Sequence, residues 1–405
     1  MAKIKAFNGV RYRGNNITKL ICPPYDIISK QEKERLKRLS AYNMVKMELP
    51  DESAGSNKYA NSSKLYKEWR NQGVLEQENL PALYFYEQSF KDHGKKMVRR
   101  GFFAALKVEN PHGGSVKPHE RTLSKPKADR LRLLRAVKAN LSPIFGLFND
   151  KGGKTLKLCK TLAKTPCAST ASDPEGTRHK LWVVKDPKTI ALVVKELAGQ
   201  KIFIADGHHR YETAWNYSQA MKGKEKKASA EKEYNYVMIY LCPMEDPGLS
   251  IWPTHRVVEE PAGFEDRIKE YFTELPQTAF KKYSGKLPQA LAVWKKGKMR
   301  TLVLKDKQAL SEKMPDKCKA YRELGVSMLH SLLLSDVAPD RITYVKSEKE
   351  ALKLARARKC LAVMVPSTPI KAVKEIALAN QTMPQKSTYF YPKVASGIVI
   401  HSVKE

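Results

Sequence analysis

Apolar residues recur along this chain in short runs between polar turns, and the period of each run predicts its element. Runs over 82–87 and 100–108, rich in aromatic and small apolar residues, predict two strands. The turn between them, 91–95, contains Gly94 and suits a tight hairpin. Pro23 and Pro24 keep 21–26 extended. Ser29, with Glu32 three residues on, forms a capping box for a helix through Leu39. Residues 43–49 read as a strand ending at Pro50, and the polar stretch 51–61 as a loop before a helix through Glu68, Trp69 and Arg70. Leu131, Leu134 and Val137 lie at helical spacing, in a helix that ends before Ser142-Pro143. Strands are expected over 144–148, 181–184, 202–205 and 236–241, and a helix over 188–197. A charged, low-complexity insertion over 222–232 reads as a surface loop.

Around residue 260 the pattern changes. Helices over 263–271, 324–333 and 348–357 alternate with short strands over 290–294, 301–304 and 360–365. The expected fold class is therefore α/β in the mixed, α+β sense. Residues 1–260 would hold a core with a β-rich insertion at about 80–180. Residues 261–405 would form a C-terminal α/β region, its tail, 383–400, packing back on the core.

The richest local chemistry follows the run 202–205. Asp206-Gly207 is a turn pair, and 210–217 reads as the first turns of a helix. A strand that feeds a Gly turn and then a helix presents backbone N–H groups and the positive end of the helix dipole to an anion, above all phosphate. Asp206, His208, His209 and Arg210 crowd into this turn. Two adjacent imidazoles and a guanidinium repel one another when charged, and a bound polyanion would relieve that repulsion.

Composition narrows the class. The chain has 405 residues, 42% of them hydrophobic and 9% aromatic, as in folded globular proteins. No apolar run approaches bilayer length and the first residues lack a secretory core, so a cytoplasmic protein without a membrane partner is expected. Six scattered cysteines, including Cys22, fit neither a zinc pattern nor a disulfide framework. The formal net charge is +32, and its lysines are spread along the whole length without a nucleic-acid motif. Weak, non-specific nucleic-acid affinity follows from that charge, and general adaptation to anionic surroundings accounts for it equally well.

Several motifs in order carry a family resemblance. They are Cys22-Pro23-Pro24-Tyr25-Asp26, His119-Glu120-Arg121-Thr122, Lys127-Ala128-Asp129-Arg130, Ser142-Pro143, Asp206-Gly207-His208-His209-Arg210, Pro253-Thr254-His255-Arg256 and Pro384-Gln385-Lys386-Ser387-Thr388. Together they resemble the prokaryotic family catalogued as domain of unknown function 1015. The Asp-Gly-His-His-Arg segment also resembles the phosphate motif of the ParB/sulfiredoxin superfamily, which includes free-serine kinases that make O-phosphoserine. The resemblance implies a ParB/sulfiredoxin-like nucleotide-binding core, with ATP or ADP and Mg²⁺ as cofactors. It places Gly207, His209 and Arg210, with His208 beside them, on the nucleotide phosphates.

On this reading Asp206 is a metal ligand or orients the hydroxyl nucleophile, His209 serves acid–base chemistry, and Asp26 is the candidate base. Glu120 is a second candidate metal ligand. His119, Glu120, Thr122, Arg130, His255, Arg256, Lys386, Ser387 and Thr388 are candidates for holding the substrate. The leading expectation is a nucleotide-dependent phosphotransferase acting on a small hydroxylated amino acid such as L-serine, and a homodimer is compatible with the sequence. The alternative is a ParB-like, DNA-associated nucleotide-binding regulator without kinase activity. A sulfiredoxin-like role would need a cysteine beside the turn, and none lies between Cys167 and Cys242. DNA binding measured against salt separates the first two readings. Affinity that vanishes at physiological salt and shows no sequence preference is the outcome expected if the charge is not a DNA-reading device.

Overall fold

The computed structural model describes all residues except 1, 53–56, 112, 121, 123, 226–228, 277–279, 281–289 and 405. Parts of the loop expected over 51–61 and of the insertion over 222–232, together with Arg121, therefore lie outside the described residues. The chain divides into two compact units. The first comprises Met1–Lys117, Thr122–Leu249 and Pro392–Glu405, and the second comprises Pro118–Arg121 and Ser250–Tyr391.

In the first unit nine strands form one mixed sheet among the described residues. They are β1 (Ile4–Lys5), β2 (Leu83–Asp92), β3 (Lys95–Lys107), β4 (Val116–Lys117), β5 (Ile144–Phe148), β6 (Ser169–Ser172), β7 (Arg178–Val184), β8 (Ile202–Asp206) and β9 (Tyr236–Pro243). Their order is β4-β8-β5-β9-β3-β2-β7-β6, with β1 also paired to β3. The β4–β8 and β5–β9 pairs are parallel and the others antiparallel. The β2–β3 hairpin closes through His93 and Gly94, both at positive φ, as a two-residue turn matched to strand twist requires.

Period-two alternation gives the sheet two different faces. On one, Leu83, Phe85, Phe102, Ala104, Val237 and Ile239 join a single apolar core. Residues of α4 (Lys154–Leu162), α5 (Pro187–Leu197) and α6 (His208–Lys222) complete it, α1 (Lys30–Leu39), α2 (Lys58–Asn71) and α3 (Ser124–Val137) being the earlier helices. On the other face, Tyr86, Phe103, Phe145 and Tyr240 pack ring to ring at 5.2–5.5 Å. The α1 start is as expected: the Glu32 amide donates to Ser29 Oγ at 3.1 Å.

Residues 43–49 depart from expectation. Val45–Glu48 is a helical turn, not a strand. Asn43, fully buried, donates to the carbonyls of Lys19 and Ile21 and accepts from the Val45 amide, which closes the chain into a turn. A short apolar run does not distinguish strand from helix by period alone.

The second unit is built on a six-stranded sheet. Its strands are β11 (His255–Val258), β12 (Phe272–Leu275), β13 (Ala290–Lys295), β14 (Lys298–Leu304), β15 (Thr343–Val345) and β16 (Leu361–Met364), in the order β12-β14-β13-β16-β11-β15. A separate ladder pairs β10 (Ser250–Trp252) with β17 (Tyr389–Tyr391). Alternation again decides the faces. Leu291 and Val293 enter a core with α7 (Phe264–Tyr271), whereas Ala292 and Trp294 meet Ala351 and Ala355 of α8 (Glu348–Arg358). The stretch expected as one helix over 324–333 is an α turn, Gly325–Met328, followed by a π turn, Leu329–Leu333. No described helix is long and apolar enough to cross a membrane.

Gly101 marks a tight crossing of the first sheet. A Cβ there would lie 2.2 Å from the Leu241 carbonyl oxygen on β9. Gly101→Ala should lower stability by about 1–3 kcal/mol, read as a fall in the thermal midpoint. An unshifted midpoint would contradict this packing.

Candidate functional site

The 206–210 turn is shaped by three local features. First, the β8–β5 register slips between Ile204 and Asp206, leaving a bulge at the strand end. Bulges re-aim side chains, and this one sets Asp206 opposite Phe145. Second, Gly207 is in the left-handed region, φ 87°, and precedes α6. A Cβ on it would approach the Arg210 guanidinium to 3.0–3.1 Å, so glycine suits the position on both counts. Third, α6 begins at His208, and its first i→i−4 bond runs from the Tyr211 amide to the Gly207 carbonyl. The amides ahead of Tyr211 are outside that ladder, at the positive end of the helix dipole.

Asp206 holds two cations. Arg210 Nη2 donates to its Oδ2 at 2.6 Å, and Lys393 Nζ donates to its Oδ1. All three side chains are at least four-fifths buried. Arg210 Nη1 also donates to the Pro143 carbonyl, while its Nε is buried without a hydrogen-bond partner. Burial alone would lower the Arg210 pKa, but the Asp206 and Asp26 carboxylates more than offset this and raise it. Arg210 is therefore charged, and both of its terminal nitrogens are engaged within the protein. Burial drives His208 down to about 3, against which Asp206 pulls upward, so its imidazole is neutral. His208 can take part in hydrogen bonding but brings no charge to an anion. His209, half-buried, follows it in the first turn.

Asp26 lies exposed in a single 3-10 turn, Tyr25–Ile27, held by the preceding prolines. Tyr25 links it electrostatically to the turn. Burial raises the Tyr25 hydroxyl to about 12, Arg210 opposes this, and Asp26, Arg130 and Asp206 also act on it. Arg130 lies 4.1 Å from the Tyr25 ring centroid. It was expected to meet a substrate carboxylate, but it is already paired, with Glu48 Oε2 at 3.1 Å and Asp129 Oδ2 at 2.5 Å. Glu48 is almost fully buried, so the pair ties the 45–48 turn to α3. Thr122 is likewise engaged. It donates to Glu212 Oε1 at 2.7 Å, and Lys127 Nζ donates to Oε2 of the same carboxylate at 2.7 Å. Both hold the start of α3 on α6.

The remaining candidates belong to the second unit. Arg256 is fully buried and donates to the carbonyls of Thr254, Gln385 and Lys386. Burial lowers it to about 10, still protonated at neutral pH. Burial, with Arg256 nearby, also lowers His255 to about 4, and its Nδ1 accepts from the Val365 amide at 3.4 Å. Glu120 Oε1 accepts from the Lys386 amide at 3.0 Å, His119 Nε2 meets Thr388 Oγ1 at 3.2 Å, and Ser387 Oγ donates to the Pro384 carbonyl. The structure thus gathers His119, Glu120, Arg256, Lys386, Ser387 and Thr388 around one loop, although they are far apart in sequence. Sequence reasoning missed Tyr25, Glu48 and Lys393. Tyr25 had a signal, since it stands beside Asp26 in the Pro-Pro-Tyr-Asp motif.

Residues 4–327 match the family described as "Protein of unknown function (DUF1015)". The chain belongs to this family. No curated protein matches the sequence. Among solved structures, a free serine kinase mutant in complex with AMP aligns at TM-score 0.38 and 10% identity, over 68% of this chain and 84% of that chain. A conserved hypothetical protein from Pyrococcus furiosus aligns at 0.36 and 12%, over 69% and 89%. SbnI with C-terminal truncation, from Staphylococcus aureus, aligns at 0.35 and 11%, over 70% and 82%. Such distant likenesses carry no argument about chemistry, which rests on the residues themselves.

Among the described residues no group of three or more His, Cys, Asp or Glu side chains could hold a metal ion. Asp206 and Glu120, the two expected ligands, belong to different units, one closed by two cations and the other by a backbone amide.

His208 gives this site a pH signature. Its ordinary value of 6.5 falls to about 3 on folding, so the unfolded chain takes up the proton first. Its contribution to stability is complete above pH 6.5 and is lost as pH falls towards 3. Unfolding measured across this window should respond less steeply to pH in His208→Gln, by up to about 1.4 kcal/mol per pH unit. An unchanged slope would place a charged imidazole at this position.

Proposed function

We propose that the first unit is a ParB/sulfiredoxin-like nucleotide-binding core that transfers a phosphoryl group from ATP or ADP to a small hydroxylated amino acid, L-serine being the leading candidate. The observation that carries this reading is the meeting of two buried cations on one carboxylate at a helix start. Asp206 is shared by Arg210 and Lys393, and the dipole of α6 adds to their positive charge. A polyanion suits such a place, and Arg210 Nε is a donor suited to its oxygens. The Asp-Gly-His-His-Arg resemblance points to the same ligand.

The chemistry then divides among the residues. The turn at Gly207, with His209 and Arg210, binds the phosphate chain, and Asp206 fixes the two cations. Mg²⁺ enters with the nucleotide as part of the substrate and supplies charge neutralisation on its phosphates. Asp26, exposed beside Tyr25, takes the proton of the acceptor hydroxyl. The hydroxyl oxygen bonds to the terminal phosphorus, the bond from that phosphorus to the bridging oxygen breaks, and the nucleotide leaves one phosphate shorter.

Purified protein incubated with L-serine, Mg²⁺ and either ATP or ADP should yield O-phosphoserine by mass spectrometry. Asp26→Asn, an exposed change that spares the fold, should lower turnover by about 100-fold while nucleotide binding persists. Folded protein that makes no phosphoserine with either nucleotide would sink the serine assignment.

A further inference from the structure

The last fourteen residues of the chain, Pro392–Glu405, return to the first unit, and their entry is unusually well fixed. Gln88 Nε2 donates to the Lys393 carbonyl at 3.0 Å. Arg99 Nη2 donates to the neighbouring Pro392 carbonyl at 2.5 Å and also to Gln88 Oε1. Gln88 and Arg99 are opposite one another on β2 and β3, and both are fully buried. The Arg99 guanidinium lies 4.7 Å from the Phe145 ring centroid. Phe145 in turn is the residue paired with Asp206 across the bulge. Two consecutive carbonyls of the tail are thus held by one buried polar pair, and the lysine stem leaves from a backbone already immobilised.

Where that stem ends decides its meaning. A buried ammonium is stable only when paired, and Lys393, 9% exposed, meets a carboxylate that Arg210 already occupies. If the tail needed only an anchor, an apolar side chain would dock it without placing a second cation on one acid. Lys393 also acts on His208 at the α6 start, so its charge is felt where the helix begins. Asp26 is exposed, and solvent screens its share of the balance.

We propose that Lys393 is a phosphate-binding residue of the nucleotide site, supplied by the C-terminal tail, with Gln88 and Arg99 as its positioning residues. The inference rests on the nucleotide reading above. On it, the incoming phosphate chain takes the charge of Lys393 that Asp206 shares with Arg210, and the tail backbone does not move because Gln88 and Arg99 hold it. This makes the site a product of both ends of the first unit's sequence, with Asp26 near the start and Lys393 near the end.

Isothermal titration calorimetry of the full chain with ATP and with ADP, each with Mg²⁺, tests it. Lys393→Met, which keeps the stem and removes the charge, should weaken nucleotide binding by about tenfold or more, the scale of one charge-assisted contact. Lys393→Arg, which keeps the charge, should recover most of that loss. Should Lys393→Met not fold, Lys393→Gln, with a neutral donor towards Asp206, carries the same comparison. Gln88→Ala should weaken binding in the same direction without touching the nucleotide. Wild-type binding matched by both uncharged variants would overturn the role of Lys393 and leave the nucleotide reading intact. No heat or thermal shift from either nucleotide with the wild-type chain would overturn both.

Discussion

One carboxylate shared by two buried cations is the constraint on which the first unit's candidate site depends. Asp206 reaches its position because β8 slips register at its end, and it meets Arg210 because Gly207 lets the chain enter α6 at positive φ. Arg210 in turn reaches back to the Pro143 carbonyl just before β5, so the strand neighbouring β8 is tied to the same turn. Lys393 arrives from the tail. Strand, turn, helix and tail therefore converge on two oxygen atoms. Removing one partner of such a buried group leaves an uncompensated charge, commonly worth about 3–5 kcal/mol.

Around it the other ionised groups are arranged to close, not to receive. Arg130 stands between Glu48 and Asp129, and Tyr59 also donates to Asp129 at 2.8 Å, so α2, α3 and the 45–48 turn share one network. Glu212 draws in Thr122 and Lys127 and binds α3 to α6. These contacts fix the helix whose N-terminus faces the site. They act on function through position: a helix start is a useful anion site only if its dipole is held still.

The fold was legible in sequence wherever a local rule decided it. The His93-Gly94 hairpin, the Ser29 cap, the strand before Asp206 and the helix after Gly207 all follow from neighbours within a few residues. The candidate turn was legible in the same measure. Asp206, Gly207, His209 and Arg210 announce themselves because they are adjacent. Lys393 does not, because it lies 187 residues from Asp206 and is one lysine among many in a chain of net charge +32. The partners of Arg130 and Thr122 were hidden for the complementary reason. These two residue types suit a ligand, and sequence does not reveal that Glu48 and Glu212 already occupy them. Residues 43–49 failed at a lower level, where a buried asparagine, not the apolar period, set the backbone.

Charge balance separates these cases better than residue type does. Arg130 is one cation between two acids, so an arriving anion would add repulsion to a satisfied pair. Arg256 has three backbone carbonyls and stays buried as a clasp on the 384–388 loop, with Nε its one unpartnered nitrogen. Asp206 is the reverse of Arg130: one acid between two cations, at the positive end of a helix. An anion entering there gains two charged donors and displaces no protein carboxylate from its last partner, since Asp206 can release one cation and keep the other. That asymmetry sets the arginine of the five-residue turn apart from the arginine on α3, whose partners are equally good.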